Sequence, residues 1–228
     1  AQARAVLFEG GALAALAPGA VVMLMATCAP GDVEAIAADV VKSGRHFVDA
    51  PVSGGVGGAR GATLTIMVGA PADSFALAKP MLDAMGDKVF HVGEKPGQGA
   101  TVKTVNQLLC GVHIAVAAEA LSLAEKAGID GRVLFEIMGG SAASSWMLRD
   151  RGPRMQEADP PVASAVDIFV KDLGIVLDAG RAARTALPLA AGAHQMFLAA
   201  SGLGHGGRDD SQVVRAYRAL NAGPVEKA

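Results

Sequence analysis

The chain has 228 residues, 51% hydrophobic and 18% charged, which is enough apolar surface for a real core and excludes intrinsic disorder. Its net charge of −2 arises from 20 basic and 22 acidic residues that form no cationic cluster, so nucleic acid is excluded as a partner. Two cysteines, Cys28 and Cys110, are too few for a disulfide framework and lack metal-ligand spacing, so no metal is expected and a reducing compartment is.

Aromatic residues are 4%, so the core must come from Ala, Val, Leu, Ile and Met, which suits helices packed on parallel strands. Apolar runs such as Ala20–Ala29 fall short of the roughly 20 residues that cross a bilayer. The first residues, Ala-Gln-Ala-Arg, have no hydrophobic signal core. A soluble, cytoplasmic protein without membrane contact is expected.

Residues Ala3–Glu9 have a helical look. Ala20–Met25, following Pro18-Gly19, is a short β-branched run that predicts a strand buried on both faces. Val33, Ile36, Ala37 and Val40 predict a helix over Gly31–Lys42. Arg45–Val52 reads as a second strand, Ser53–Gly61 as a glycine-rich turn, and Thr63–Val68 as a third strand. Pro71–Met85 reads as a helix and Lys88–Val92 as a fourth strand. Strand–helix–strand units of this size predict a parallel or mixed sheet with helices on both faces.

The pattern changes at Gly93–Gly99, a breaker cluster that sets the expected boundary between a domain of residues 1–94 and one of 95–228. From Ala100 to Ala127 a broad apolar stripe predicts one long helix buried on most sides. Helical segments over Gly131–Met138, Met147–Met155, Ala163–Ala183, Leu187–Ser201 and Asp210–Leu220 complete the chain. The expected fold is an α/β Rossmann-like domain followed by an all-α domain. No strand, glycine turn and helix precede Ala20, so the α/β domain reads as incomplete at its N-terminus, with an upstream segment expected.

Three places could carry chemistry. Ser53-Gly54-Gly55 follows a strand end at Asp49-Ala50-Pro51, and its hydroxyl and amides could hold a carboxylate or phosphate. On spacing alone, an ordinary turn is the simpler reading. Gly55, Gly57, Gly58 and Gly61 fit G-x-G-x-x-G poorly and lack a clearly placed acidic residue beyond, so no dinucleotide fingerprint is read there. Lys103 and Asn106 lie three apart on the long helix and share a face. An amine partly desolvated in such a cleft becomes a usable acid or base, although a lysine reaching out to solvent fits equally well. Lys171, between apolar neighbours, reads alone as a surface partner of Asp167.

The five histidines have no zinc-ligand spacing, and His113 on the long helix reads as a core histidine. Trp146 reads as a packing anchor in a loop, and no G-x-S-x-G supports hydrolase chemistry.

Four stretches together resemble the β-hydroxyacid dehydrogenase family. They are DAPVSGG (Asp49–Gly55), GxTLTIMVG ending at Gly69, GxGxxxKxxNQ (Gly97–Gln107) and FVKDL (Phe169–Leu173). They occur in the family's order and span essentially the whole chain. The resemblance implies that Ser53, Gly54 and Gly55 bind a substrate carboxylate. It implies that Lys103 is the catalytic lysine and that Asn106 helps hold the substrate. Thr27 would lie beside the nicotinamide of NAD or NADP, and Lys171 would close on the cofactor from the helical domain. It also implies a small hydroxy-acid substrate. Separately, the helical half is rich in Ala, Leu and Val and poor in charge, with faces such as Leu187–Ala200 that one small domain can hardly cover, so a homodimer or homotetramer built through the C-terminal helices is expected.

Leu108–Leu121 and Ser144–Met147 look nearest to the L-threonate dehydrogenase-like members. Gln107 stands where many members have a second Asn. Imine-reducing relatives replace the lysine, so Lys103 speaks for C–O chemistry. Non-catalytic relatives serving as cofactor-binding interaction modules remain an alternative, although they usually lose that lysine. A phosphogluconate dehydrogenase would need basic residues for a substrate phosphate, and these are not seen.

Overall fold

The computed structural model describes residues 2–222, which fall into two compact units, one up to Val105 and one from Asn106. The first opens with helical turns, α1 (Gln2–Arg4), a wider π turn over Ala5–Glu9, and α2 (Ala12–Ala15). Then come β1 (Val21–Leu24), α3 (Pro30–Lys42), β2 (His46–Asp49), β3 (Val52–Ser53), α4 (Gly55–Arg60), β4 (Thr65–Gly69), α5 (Ala72–Met85) and β5 (Lys88–Gly93).

The sheet is mixed. β1 and β2 are parallel, as are β4 and β5. β4 runs antiparallel to β2 and β3 in one continuous register, with Asp49 opposite Gly69 and Val52 opposite Ile66. The Met67 amide donates to the Pro51 carbonyl (3.0 Å), so the proline between β2 and β3 interrupts a strand without ending its ladder.

Strand alternation sends neighbouring side chains to opposite faces, and the two cores follow it. Val22, Leu24 and Phe47 pack with Leu13, Val33, Ile36 and Val40 from α2 and α3. Val21, Met23, Val48 and Ile66 pack with Phe75, Ala78 and Leu82 of α5. This is the layered α/β architecture expected. One local reading needs correction. The glycine-rich stretch Ser53–Gly61 is not all turn, because Ser53 closes β3 and a short helix begins at Gly55.

The long helix α6 (Gln98–Lys126) contains the division between the units. The second unit continues with α7 (Gly131–Gly139), α8 (Trp146–Met155), α9 (Val166–Ala182), α10 (Pro188–Ala200), a π turn to His205, a 3-10 turn over Asp210–Val213 and α11 (Val214–Leu220). Its core joins Ile114, Ala118 and Leu121 of α6 to Met155, Phe169, Leu173, Phe197, Val213 and Val214. Phe169 and Phe197 stack with ring centroids 5.1 Å apart.

The expectation that the long helix is buried on most sides fails, since Leu109, Val116 and Leu123 are 49%, 53% and 71% exposed. By length and composition α6 is the one helix among the described residues that could cross a bilayer, which amends the apolar-run reading. Its inner face is instead core of the second unit. His113 is half-buried rather than a core residue. Trp146 opens α8, 51% exposed, with the Arg151 guanidinium 5.8 Å from its ring centroid.

Candidate active site

The carboxyl ends of parallel strands are where α/β sheets usually bind ligands. Here the Ala50 amide donates to the Leu24 carbonyl (2.9 Å), so β1 and β2 end side by side. The turn leaving β1 carries Thr27 and Cys28, both partly buried, before α3 starts at Pro30. The chain leaving β2 passes through Pro51 to Ser53, then turns at Gly54 (φ 132°) and Gly55 (φ 60°), where side-chain-bearing residues are strained. A Cβ on Gly54 would also lie 3.2 Å from Leu64 Cδ2. Ser53 thus closes β3, four residues beyond the end of β2, and its two glycines set the shape of the turn that follows.

Asp49, at the end of β2, is 1% exposed and ties α6 to the end of that strand. Its Oδ2 accepts from the Gly97 and Ala100 amides, both at 2.9 Å, so a buried carboxylate occupies the positive end of the helix. Burial pushes the Asp49 carboxyl up to about 6, against the backbone amides of Ala100, Gly97 and Gly99, which favour its ionised form. The approach leaves no room for side chains. A Cβ on Gly99 would lie 2.4 Å from the Met67 carbonyl, and one on Gly69 would lie 2.7 Å from the Lys95 carbonyl.

Lys103 follows one turn into α6 and is 8% exposed, so the solvent-reaching alternative is not what forms. A buried amine on a helix whose start is fixed to the strand edge has the rigidity that acid–base chemistry needs.

Asn106 and Lys171 belong to the second unit. Asn106 is half-buried, and its amide donates to Cys110 Sγ (3.4 Å). Lys171, on α9, is about half exposed, and its Nζ lies 2.5 Å from Asp172 Oδ1. Asp167, the partner that the sequence alone suggested, accepts from Ser201 Oγ (2.6 Å). Within the first unit, then, Thr27 lies on the turn after β1, Ser53-Gly54-Gly55 follow β3, and Asp49 holds the start of the helix that bears Lys103 at the end of β2. Asn106 lies three residues beyond Lys103 on α6, and Lys171 lies on a different helix of the second unit.

The sequence reading missed Asp49 as the anchor of α6. Its signal was an acidic residue at a strand end, ahead of a helix opened by Gly-x-Gly. It also missed the buried pair of Gln107 and Asp172. A third omission is the network in which Arg151 grips Asp210 through two hydrogen bonds of 2.9 Å and Arg154 holds Asp209 at 2.8 Å, with Asp150 contacting both arginines. Burial raises the Asp210 carboxyl, and the Arg151 guanidinium opposes that rise. This network fastens α8 to the turn before α11 and serves packing.

The site suits a nicotinamide dinucleotide and a small anion. The glycine turn is open, since Cβ atoms added at Gly55 and Gly57 would meet nothing within 4 Å. Among the described residues, no three His, Cys, Asp or Glu side chains gather as a metal site.

Two family descriptions match the chain. Residues 1–93 match the NAD-binding domain of 6-phosphogluconate dehydrogenase. Residues 97–217 match the NAD-binding region of NADP-dependent 3-hydroxyisobutyrate dehydrogenase. The chain is 46% identical to an L-threonate dehydrogenase of Cupriavidus necator, over 95% of its own length and 73% of the relative's. It is 38% identical to a 3-hydroxyisobutyrate dehydrogenase of Pseudomonas aeruginosa, over 93% of its length and 74% of the relative's. A crystal structure of a 3-hydroxyisobutyrate dehydrogenase from Salmonella typhimurium superposes with a TM-score of 0.90 at 43% identity, covering 94% of this chain and 75% of that one.

Proposed function

Because this chain belongs to the β-hydroxyacid dehydrogenase family and is an NAD(P)-dependent hydroxyacid oxidoreductase, we propose that its substrate is a short polyhydroxylated acid of the L-threonate type, with Lys103 as the acid–base residue. The observation that carries the site reading is the buried Lys103, one turn beyond a helix start that Asp49 fixes to the end of β2, the strand that leads on to Ser53-Gly54-Gly55. The L-threonate dehydrogenase at 46% identity supports the substrate class.

The bound nicotinamide supplies the hydride acceptor for oxidation and the donor for reduction. Ser53 Oγ and the amides of Gly54 and Gly55 hold the substrate carboxylate and so orient the carbon beside it. Lys103 Nζ takes the hydroxyl proton as the C–O bond gains carbonyl character and returns it in the reverse direction. While protonated it stabilises negative charge on that oxygen. Asn106 holds a second polar group of the substrate. Thr27 lies beside the nicotinamide, and Lys171 closes on the cofactor. In this reading residues 1–94 bind the dinucleotide, and residues 95–228 complete the substrate site and carry assembly.

We also assign the protein to the cytoplasm, in keeping with two free cysteines, and to a homodimer or homotetramer. The exposed apolar side chains of Val116 (53%), Leu123 (71%) and Leu189 (72%) on α6 and α10 support assembly through the helical unit.

A panel of C3 to C5 hydroxy acids assayed with NAD⁺ and NADP⁺ tests the proposal. L-threonate should give the highest kcat/KM among four-carbon sugar acids. A panel with no turnover favours the interaction-module alternative, and a preference for unbranched mono-hydroxy acids contradicts the substrate class.

A further inference from the structure

Asp172 is 2% exposed, so its carboxylate lies in the core of the second unit and needs partners there. Two are in place. The Gln107 side-chain amide donates to Oδ2 at 2.5 Å, from a residue itself only 7% exposed. Oδ1 lies 2.5 Å from Lys171 Nζ, an ion pair by distance, and is buried without a hydrogen bond among the described residues. Lys171 and Asp172 are consecutive on α9, and consecutive helical side chains point about 100° apart. The lysine therefore lies along the helix surface to reach this carboxylate, with about half of its side chain still exposed.

One turn on, the Leu173 side chain packs against the bare backbone of Gly111, where an added Cβ would lie 2.8 Å from Leu173 Cδ2. Gln107 and Gly111 occupy one stripe of α6, while Asp172 and Leu173 are neighbours on α9. The register of the two helices is thus held beside the carboxylate that receives Lys171.

We propose that Gln107 is a positioning residue that acts through Asp172, orienting the carboxylate that holds Lys171 and so setting where that ammonium stands for an anionic group of the dinucleotide. The assignment rests on the reading of Lys171 as the residue that closes on the cofactor. Gln107 need touch neither substrate nor cofactor to fill this role. Replacing it with an apolar residue removes the amide from Asp172 Oδ2, so the carboxylate no longer has one fixed orientation from which to hold the lysine.

Two readouts test this, and the first needs no cofactor. In Gln107→Leu, the rate of amine acetylation at Lys171, followed by peptide mass spectrometry, should rise several-fold as the ammonium loses its fixed partner. Acetylation at Lys79, paired with Asp83 on the surface, should not change. If the leucine variant folds poorly, Gln107→Met is read the same way.

The second readout is the NADPH Kd by fluorescence in Gln107→Leu, Lys171→Met and the double variant. Each single change should weaken binding, and the double variant should bind no more weakly than Lys171→Met alone. An unchanged Lys171 acetylation rate together with a lower melting temperature overturns the proposal, because Gln107 would then only cement α6 to α9. Faster acetylation with an unaltered Kd in Lys171→Met keeps the positioning pair and overturns the cofactor role of Lys171.

Discussion

Substituting Asp49 by asparagine separates charge from shape at the base of α6. The side chain is buried and its carboxyl stands at about 6, against 3.8 when unperturbed. The folded chain therefore binds this proton more tightly than the unfolded chain. The stabilisation this gives is absent above about pH 6, grows as pH falls through that value, and is complete below about pH 4. A rise of about two pK units corresponds to about 3 kcal/mol, of which about 2 kcal/mol should be present at about pH 4.5.

Asparagine keeps an oxygen that can accept from Gly97 and Ala100, but it does not titrate. Urea denaturation of both proteins between about pH 7.5 and about pH 4.5 should show the wild type gaining about 2 kcal/mol on Asp49→Asn. Asp49→Ala strands both amides and should cost about 2–4 kcal/mol throughout that range. Parallel pH profiles for the wild type and Asp49→Asn would refute the account of a carboxylate buried against a helix end.

Ser53→Ala should lower kcat/KM for hydroxy acids by about 1–3 kcal/mol of transition-state stabilisation and leave the NADPH Kd unchanged, whereas a selective loss of cofactor affinity would contradict the carboxylate role. Gly99→Ala places a methyl group against the Met67 carbonyl and should lower stability by about 1–3 kcal/mol in the same denaturation assay. Light scattering at micromolar protein should give a dimer or tetramer, and Leu189→Glu, on the exposed face of α10, should shift it toward monomer.

Much of the fold was legible because the apolar pattern repeats with the period of each element. Val33, Ile36, Ala37 and Val40 marked the inner face of α3, and all four are buried. The run at Ala20–Met25 marked a strand with both faces covered, and β1 sends Val22 and Leu24 to one core and Val21 and Met23 to the other. The long helix misled for a physical reason. Alanine and glycine on its inner face pack as closely as larger residues elsewhere, which leaves Leu109, Val116 and Leu123 on the outer face.

At the site, the pattern alone left Ser53-Gly54-Gly55 as an ordinary turn and Lys103 evenly balanced, and only the family resemblance singled them out. The roles of Asp49, Gln107 and Asp172 were not legible, since each depends on a partner dozens of residues away. Gln107 and Asp172 are 65 positions apart, and Asp49 and Gly97 are 48 apart. An acidic strand end and a Gly-x-Gly helix start hint at the second pairing, and nothing local records the first.

The central claim is that Lys103 moves the proton of the reacting hydroxyl group. Its most direct test is steady-state turnover of Lys103→Met on the best acid from the substrate panel, with circular dichroism and melting temperature measured alongside. The account predicts a fall in kcat of roughly 10²–10⁴, as for loss of a general acid–base group, with NADPH binding and the melting temperature nearly unchanged. Turnover close to that of the wild type in a folded Lys103→Met protein would contradict it.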